Sequence, residues 1–537
     1  MDTIVSQLSS IEFRSPEKTA VVTTDGLSIS YSKLLKTTTD LATALSATGI
    51  ERGSVVAIAL PNCLELVIAF VTLAGNGFCA MVLNPDMGED EYDYALSHSQ
   101  ACAIIVGNPD AASKAAADRN GIPSFILMLD FVPNSAPKTR TPLGSPISCS
   151  VESAAPDSPA SAIDRSVESA ALSLVESASR AATPRKMPSS LDAALLMYTS
   201  GTTNRPKGVP LTERNLLASA RNFIACFRLT EEDVAYNVMP LFHIHGLAGI
   251  TLSTLLSGGT VLLAPRFSAS QFWEPAIKYG ATWISAAPTI HRILLQRADA
   301  DHAPRSLFRF MRASSAPMGA EEIEAIETRF ESPFLSAYGL TEAANQVSAN
   351  PLPPLRRKHH TVGLPQGVAV AILDAEGNEL STGQTGEIAI KGDNVMAGYL
   401  HNPEANAACF TSGWFRTGDQ GFIDEDGYLT VNGRIKDLII RGGENISPAE
   451  VELILMHHPQ VTEAVCFGLP DATHGEEIYA AVVSKSTISS LDLINYCGKH
   501  VSKFKVPKKI FFLDRLPRNA LNKVLRQQVA ETCRQYQ

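Results

Sequence analysis

Short apolar runs alternate with helix-like stretches along the first 130 residues, and no other feature constrains the fold as strongly. Residues 54–60 (SVVAIAL), 101–107 (ACAIIVG) and 124–129 (SFILML) are typical of buried strands, and residues 62–75 (NCLELVIAFVTLAG) are typical of a helix. Strands that alternate with helices pair into a parallel sheet that helices cover on both faces. The sequence therefore predicts an α/β fold built on doubly wound sheets.

The pattern changes in the later part of the chain. Residues 361–432 show short strands separated by glycine-rich turns, and the last stretch of about 100 residues mixes helix and strand signals. Ser447 could cap the first helix of that stretch together with Glu450. A chain of 537 residues is too long for one compact core. We predict an N-terminal domain over 1–433, which includes a small β-barrel at 361–432, and an α+β C-terminal domain over 434–537.

A segment rich in serine, alanine and proline interrupts the N-terminal domain at residues 133–190. It nearly repeats itself, since SVESAA occurs at 150–155 and again at 166–171. Such a composition offers little apolar surface to bury and predicts a mobile, disordered insertion. The insertion could be a docking or regulatory arm, or a surface segment without a function of its own.

Composition narrows the class of protein. The formal charge of −10 argues against a nucleic-acid-binding protein. Nine cysteines without a Cys-x-x-Cys pair indicate neither a zinc ribbon nor a disulfide framework. The most apolar run, residues 64–83, contains Glu65 and a Gly-Asn-Gly break, so it predicts a buried helix followed by a strand and no transmembrane segment. With neither a secretory signal nor a Ser-Lys-Leu type ending, we expect a cytoplasmic protein, and a peroxisomal location stays open.

The stretch YTSGTTNRPKG, residues 198–208, follows a strand-like run and combines hydroxyls, glycines and a lysine. Backbone N–H groups in such a turn can point at phosphate oxygens, and the lysine adds positive charge. The spacing does not match the Walker pattern, because Lys207 precedes the second glycine. Taken alone, the stretch predicts a phosphate-binding loop no more strongly than an ordinary loop.

Four further stretches follow the phosphate-loop stretch along the chain, and their order and spacing are informative: AYGLTE (337–342), WFRTGD (414–419), GRIKDLIIRGGENISPAE (433–450) and PRNALNKVLRQQ (517–528). Together with the phosphate-loop stretch they resemble the adenylate-forming superfamily of acyl-CoA synthetases, adenylation domains and luciferases. The resemblance implies ATP, Mg²⁺ and coenzyme A as cofactors. It also implies a two-step reaction, in which a carboxylic acid forms an acyl-adenylate with release of pyrophosphate and a thiol then displaces AMP.

The resemblance assigns roles to residues around the nucleotide. Glu342 would hold Mg²⁺, Thr341 would contact the α-phosphate, and Asp419 would accept hydrogen bonds from the ribose hydroxyls. The alternatives are a solvated glutamate at a strand end and a turn-forming aspartate. The remaining nucleotide contacts would come from the phosphate loop, the adenine pocket and one arginine: Thr199, Ser200, Gly201, Thr202, Thr203, Lys207, Ser315, Ala316, Pro317, Tyr338, Gly339 and Arg434.

The C-terminal domain would supply the catalytic lysine, Lys523, and in this family that small domain is mobile and rotates between the two steps. Lys436 corresponds to the pivot, and Gly442 and Gly443 would line the thiol tunnel. Two departures from the family pattern are Asn204 in the phosphate loop and Asn522 before the lysine. Because asparagine tolerates positive φ, we expect both loops to keep their shape.

The acid pocket is most similar to the oxalyl-CoA synthetase branch, which implies a small carboxylic acid such as oxalate. His243 resembles the histidine at the pocket entrance, and His291 and Ser314 could meet a distal carboxylate. His291 could equally be an ordinary hydrogen-bonded histidine inside a helix, and Asn345 and Ala316 could reshape the pocket. Two other functions stay open: an enzyme that passes fatty or aryl acids to a carrier protein, and a non-catalytic scaffold of the same fold.

Overall fold

The computed structural model describes residues 2–108, 111–133, 165–174, 192–199, 206–314, 316–442, 444–471, 473–518 and 524–535. None of the helices within these ranges combines the length and the apolar character that crossing a bilayer requires. The strands of the described ranges form three sheets, one of sixteen strands and two of five.

The sixteen-stranded sheet has the order β16-β15-β14-β13-β12-β10-β11-β1-β2-β7-β6-β5-β3-β4-β8-β9. Most pairs are parallel, for example β3 with β4 and β5 and β13 with β12 and β14, but β2 pairs antiparallel with β1 and β7 with β6. In chain order its strands are β1 (Thr19–Thr23), β2 (Leu27–Ser30), β3 (Val55–Ala59), β4 (Cys79–Val82), β5 (Ala103–Val106), β6 (Ser124–Pro133), β7 (Arg165–Leu174), β8 (Ala193–Thr199), β9 (Lys207–Thr212), β10 (Val234–Asn237), β11 (Thr260–Leu263), β12 (Trp283–Ala286), β13 (Phe310–Ala313), β14 (Phe334–Leu340), β15 (Asn345–Ala349) and β16 (Leu364–Pro365).

Helices connect and cover these strands. They are α1 (Ile4–Arg14), α2 (Tyr31–Ala47), α3 (Leu64–Gly75), α4 (Glu89–Ser99), α5 (Ala112–Asn120), α6 (Glu213–Phe227), α7 (Ser253–Ser257), α8 (Trp273–Lys278), α9 (Pro288–Arg297) and α10 (Ala320–Phe330). Helix α3 is buried from Leu66 to Ala74 without a break, because the sheet and neighbouring helices surround it. The most apolar run is thus a buried helix followed by strand β4, as the sequence predicts.

The serine- and alanine-rich segment differs from its prediction where the structure describes it. Arg165–Leu174 form β7, which pairs antiparallel with β6 and parallel with β2. The prediction of disorder is therefore wrong for these ten residues. Composition misled because β7 needs few large side chains of its own: Val167 is buried and Leu172 half-buried against a core that α2 and β6 supply.

The β-rich unit predicted at 361–432 is centred on the second sheet, whose pairings are antiparallel throughout. Its order is β17-β18-β20-β19, and β21 pairs with β20 as well. The helix α11 (Pro403–Cys409) and five strands make up this unit: β17 (Ala369–Leu373), β18 (Gly386–Lys391), β19 (Phe410–Thr411), β20 (Trp414–Ile423) and β21 (Leu429–Arg434).

The third sheet carries its own core of buried residues, including Val451, Ile478 and Leu493. It has the order β23-β22-β25-β24, with β26 also paired to β25. The predicted α/β fold with a separate small C-terminal unit is confirmed. The elements of this unit are β22 (Ile439–Arg441), β23 (Glu444–Ile446), α12 (Pro448–Met456), β24 (Val461–Asp471), β25 (Gly475–Ser484), α13 (Ser490–His500), β26 (Lys509–Phe512) and α14 (Arg526–Arg534).

Ser447 is the residue directly before α12, but it does not cap the helix, although the sequence predicted that it could. No capping bond from its side chain is formed, and the hydroxyl donates instead to the carbonyl of Asn432 at the end of the second sheet. The bond joins the C-terminal unit to β21.

Candidate active site

The carboxyl ends of the parallel strands β12, β13 and β14 meet at one edge of the large sheet. Ligands of open α/β sheets bind outside such an edge. Directly after β14 the chain makes a 3₁₀ turn, Thr341–Ala343, and returns as the antiparallel strand β15. The turn therefore carries Thr341 and Glu342 outward at the edge where a ligand is expected.

The turn is tight, and its backbone is strained. Ala344 and Asn345 have φ angles of 51° and 113°, which side chains other than glycine rarely adopt. A Cβ atom on Gly339 would lie 1.7 Å from the carbonyl oxygen of Asn345, so only glycine fits between the two strands here. Strain of this kind persists where the surrounding structure holds the residues in place, and it is concentrated at functional sites.

A segment that precedes α11 holds the turn from the other side. The N–H of Met396 donates to the carbonyl of Glu342 at 2.8 Å, and the amide of Asn394 donates to the carbonyl of Ala343 at 3.0 Å. The hydroxyl of Tyr399 donates to Oε1 of Glu342 at 2.8 Å. Burial, and then the charge of Glu342, raise the pKa of Tyr399 above its usual value, so the hydroxyl stays a donor.

Tyr399 also faces Lys207. The ammonium of Lys207 lies 4.8 Å from the centre of the Tyr399 ring, a distance at which the ring attracts a cation. Thr199 and Lys207 are paired across β8 and β9, so they mark the two ends of the predicted phosphate loop. One tyrosine therefore contacts both the lysine of that loop and the carboxylate predicted to hold Mg²⁺.

Asp419 lies between Tyr338 and Arg434. Its side chain is nearly inaccessible to solvent; Oδ1 is 2.6 Å from Nε of Arg434, and Oδ2 accepts a hydrogen bond from the hydroxyl of Tyr338. Asp419 and Arg434 are also cross-strand partners of β20 and β21, which explains why they meet. Burial, and then the charge of Asp419, raise the pKa of Tyr338 well above its usual value, so it too acts as a donor.

A second polar group lies deeper, where a π-helical turn, His245–Leu252, begins beside the ends of β12 and β13. Nδ1 of His245 lies 3.4 Å from Oγ of Ser314, and Nε2 lies 2.6 Å from Oγ of Ser285. His243 precedes the turn, and burial lowers its pKa to about 4. These neutral side chains can position an acid substrate by hydrogen bonds.

His291 belongs to a different environment. It is fully buried in α9, its Nε2 donates to the carbonyl of Arg312 at 2.9 Å, and its ring packs edge-on against Phe334. Burial lowers its pKa to about 4. These contacts favour the alternative of a hydrogen-bonded histidine inside a helix over direct contact with a substrate.

Several predicted site residues make none of the contacts described above around Glu342, Asp419 and His245. Ala316 and Pro317 are exposed just beyond β13, Lys436 is exposed in a 3₁₀ turn, and Gly442 has φ 60° and donates its N–H to the carbonyl of His474 at 2.7 Å. The other predicted residues lie outside the described ranges: Ser200, Gly201, Thr202, Thr203, Asn204, Ser315, Gly443, Asn522 and Lys523.

One further cluster, in the C-terminal unit, has ligand atoms close enough for a metal ion. The side chains of Asp471, His474 and Glu477 come within 4.8 Å of one another. Both carboxylates already have cationic partners, since Lys508 lies 3.1 Å from Asp471 and Arg441 lies 2.5 Å from Glu477. These ion pairs account for the cluster without a metal.

Three residues of these groups were not predicted from the sequence: Tyr399, His245 and Arg312. Each lies in a stretch that looks like an ordinary helix, turn or strand, and its contacts are with residues distant in the chain. A signal existed for two of them. His245 repeats the histidine two positions before it, and Arg312 places a charge inside an apolar strand, where an unpaired charge is costly.

Comparisons with known proteins agree with this geometry. A family described as "AMP-binding enzyme" matches residues 12–400, and its C-terminal domain family matches residues 450–523. The chain is 38% identical to the oxalate–CoA ligase of Arabidopsis thaliana, over 99% of this chain and 98% of that protein. It is 38% identical to the oxalate–CoA ligase of Saccharomyces cerevisiae, over 90% of this chain and 87% of that protein.

Among solved structures, o-succinylbenzoate coenzyme A synthetase (MenE) from Bacillus subtilis, in complex with ATP and magnesium ion, matches with a TM-score of 0.79 at 29% identity. The match covers 98% of this chain and 99% of that one. The resemblance drawn from the five motifs is confirmed. The chain belongs to the family of AMP-binding enzymes, and it is an acid–CoA ligase of the AMP-forming type.

Proposed function

We propose that this enzyme activates a small carboxylic acid, with oxalate as the first candidate, and transfers it to coenzyme A. The observation that supports this most is the convergence of two groups on one edge of the sheet. Tyr338, Asp419 and Arg434 form one group, and Lys207 and Glu342 meet through Tyr399 in the other. Polar side chains lie below that edge, where the acid would enter.

Asp419 is suited to hold the ribose. Its oxygens accept from Tyr338 and pair with Arg434, and a carboxylate, which offers several acceptor sites, can also accept hydrogen bonds from the two ribose hydroxyls. Arg434, half-exposed at the end of β21, can in addition approach the phosphates.

Lys207 and Glu342 are suited to the phosphate end. The carboxylate of Glu342 keeps one oxygen that the bond from Tyr399 does not use, and an anionic oxygen is the ligand type that Mg²⁺ prefers. When bound, Mg²⁺ would offset the negative charge of the phosphates. Lys207 and the N–H groups of the phosphate loop would orient the β- and γ-phosphates.

The reaction then has two balanced steps. In the first, a carboxylate oxygen of the acid bonds to the α-phosphorus of ATP, and the bond from that phosphorus to the bridging oxygen breaks to release pyrophosphate. Lys523 would stabilise the charge that develops between the carboxylate and the phosphate. In the second, the thiolate of coenzyme A bonds to the acyl carbon and AMP leaves.

We also propose that the two steps use two positions of the C-terminal unit, residues 434–537. Lys436 is exposed in the 3₁₀ turn that connects β21 to β22, and a few residues of this kind can absorb a hinge rotation. The rotation would exchange Lys523 for the segment around Gly442, so that the thiol can approach.

The polar lining favours a small acid over a fatty acid. An alkyl chain packed against His245, Ser285 and Ser314 would meet polar side chains with which it cannot form hydrogen bonds, which is unfavourable. A short acid with a polar far end meets no such penalty. The oxalate–CoA ligases among the relatives agree with this preference.

The test is a panel of oxalate, short dicarboxylic acids, fatty acids and aryl acids, each with ATP, Mg²⁺ and coenzyme A. We expect release of pyrophosphate and formation of a thioester with oxalate or another short acid. Activity with fatty acids and none with short acids would refute the substrate assignment. Lys523→Ala should reduce adenylate formation far more than thioester formation from supplied acyl-AMP, and equal losses would remove Lys523 from its role.

A further inference from the structure

Arg312 lies in β13 with none of its side chain exposed to solvent. Its guanidinium donates to Oγ of Ser285 at 2.8 Å and to Oε1 of Gln346 at 3.2 Å. The same group lies 3.2 Å from Nε2 of His245 and 3.4 Å from Oγ of Ser314. Arg312 therefore lies directly below His245, Ser285 and Ser314, the polar side chains at the carboxyl ends of the strands.

No carboxylate among the described residues pairs with this guanidinium. Among the described residues, the acidic group that interacts with it is the thiol of Cys226, whose pKa burial raises to about 12, so that it is neutral. Other buried or half-buried arginines have acidic partners: Arg309 pairs with Asp233 at 3.0 Å. Buried arginines are rare unless they are paired, because burial of a charge without a counter-ion is costly.

Two aromatic rings offset part of that cost. The guanidinium carbon of Arg312 lies 5.2 Å from the ring centre of Phe223 and 5.6 Å from that of Phe227, both in α6. A ring face attracts a cation but accepts no strong hydrogen bond in the plane of the guanidinium. Nε of Arg312 in fact has no hydrogen-bond partner within the described part of the chain.

Two side-chain amides nearby also lack a hydrogen-bond acceptor among the described residues. Nε2 of Gln346 and Nδ2 of Asn345 are buried, and neither finds an acceptor among the described residues. Asn345 reaches the π-helical turn that carries His245, since a Cβ atom on Gly249 would lie 2.4 Å from its Nδ2. Buried polar groups in native proteins are otherwise nearly always paired, so donors without acceptors point to a missing acceptor.

We propose that Arg312, supported by Gln346 and Asn345, recognises a second anionic group on the acid substrate, so that the enzyme selects acids with two negative charges. The inference rests on the proposed function, since it concerns the far end of the acid that is adenylated. A planar guanidinium binds a carboxylate through two parallel hydrogen bonds and stays charged at neutral pH. An acid with an uncharged far end would leave the buried charge uncompensated.

Each diacid has a matched probe in which one carboxylate is replaced by a neutral amide of the same shape: oxalate and oxamate, malonate and malonamate, succinate and succinamate. The experiment measures kcat/KM for pyrophosphate release with both members of a pair. For the best pair we expect the wild type to favour the diacid by at least about 100-fold, because a site built around one polar group rejects analogues that lack it.

Arg312→Met should lower this diacid-to-amide ratio by at least about 30-fold, while activity with the amide falls much less. Arg312→Lys keeps the charge without the planar fork and should retain part of the preference. Arg309→Met is the matched control: it removes an arginine just before the same strand, but one that already pairs with Asp233. The control should leave the ratio unchanged.

The outcomes separate this inference from the proposed function. If the wild type uses diacids and amides equally well, or if Arg312→Met keeps the wild-type ratio, the inference is wrong and the ligase assignment stands. If no acid supports pyrophosphate release, the proposed function itself fails. Should every Arg312 variant fail to fold, the ratios of the wild type across the three pairs decide alone, and values near one refute the role of Arg312.

Discussion

Replacing Tyr399 by phenylalanine tests the arrangement at the phosphate end of the site. The change removes only the hydroxyl that donates to Glu342 at 2.8 Å. It keeps the ring, which lies 4.8 Å from the ammonium of Lys207. The variant therefore separates the hydrogen bond to Glu342, the proposed Mg²⁺ ligand, from the contact between the ring and Lys207.

The size of the effect follows from the bond that is lost. A hydrogen bond to a charged group contributes about 1.5–3 kcal/mol. Tyr399 and Glu342 are only half-buried, so water can replace part of the bond, and we take the lower limit of that range. Since about 1.4 kcal/mol corresponds to a factor of ten, Tyr399→Phe should raise the Mg²⁺ concentration needed for half-maximal activity by roughly tenfold.

The assay is pyrophosphate release at saturating acid and ATP, with Mg²⁺ varied. Tyr428→Phe is a close control, because Tyr428 donates its hydroxyl to a backbone carbonyl and has the ammonium of Lys358 4.6 Å from its ring centre. That variant should leave the Mg²⁺ dependence unchanged. An unaltered Mg²⁺ dependence in Tyr399→Phe would refute the claim that this hydroxyl orients Glu342.

Three further variants test other parts of the molecule. Asp419→Asn keeps the shape of the side chain but removes its charge. Because a charge-assisted pair is lost, the variant should raise KM for ATP by about tenfold or more. An unchanged KM, measured from pyrophosphate release at varied ATP, would contradict the ribose-binding role. Arg309→Met leaves the Asp233 carboxylate, which is 4% exposed, without its cation. It should lower the free energy of unfolding, measured in urea, by about 2 kcal/mol. The loss is smaller than for a fully buried pair because Arg309 is 37% exposed. Burial lowers the pKa of His291 to about 4, so the unfolded chain binds the proton first and stability falls as the pH drops from about 6.5 to 4. His291→Gln should therefore reduce the loss of stability between pH 7.5 and pH 5 by about 2 kcal/mol in urea unfolding, and an equal loss in both proteins would show that His291 is not the group that titrates.

Local patterns predicted the features that depend on neighbouring residues in the chain. The apolar runs at 54–60 and 101–107 became β3 and β5, because a continuous apolar run suits a strand buried on both faces. The stretch 198–208 likewise begins in a strand, as its sequence indicated, and Thr199 and Lys207 pair across β8 and β9; its phosphate-binding role stays a prediction.

Features that depend on distant partners could not be predicted. Tyr399 and Glu342 are 57 residues apart, and the residues around each give no indication that the two side chains form a hydrogen bond. The strand β7 is hidden by its composition, because its partners supply most of the apolar surface. Ser447 has the residue type and the position of a helix cap, yet its side chain makes no capping bond, and its hydroxyl donates to a carbonyl 15 residues earlier in the chain.

The junction between the second and third sheets bears on the proposed rotation of the C-terminal unit. Arg434 ends β21 and is held by Asp419 in the strand beside it, so the proposed nucleotide contact belongs to the second sheet. The exposed turn with Lys436 follows at once. The C-terminal unit touches β21 through Ser447, and a Cβ atom on Gly433 would lie only 2.9 Å from its hydroxyl. If the C-terminal unit rotates about Lys436 as proposed, the bond from Ser447 has to break while the pair of Asp419 and Arg434 stays intact, so the proposed ribose contact would survive the rotation.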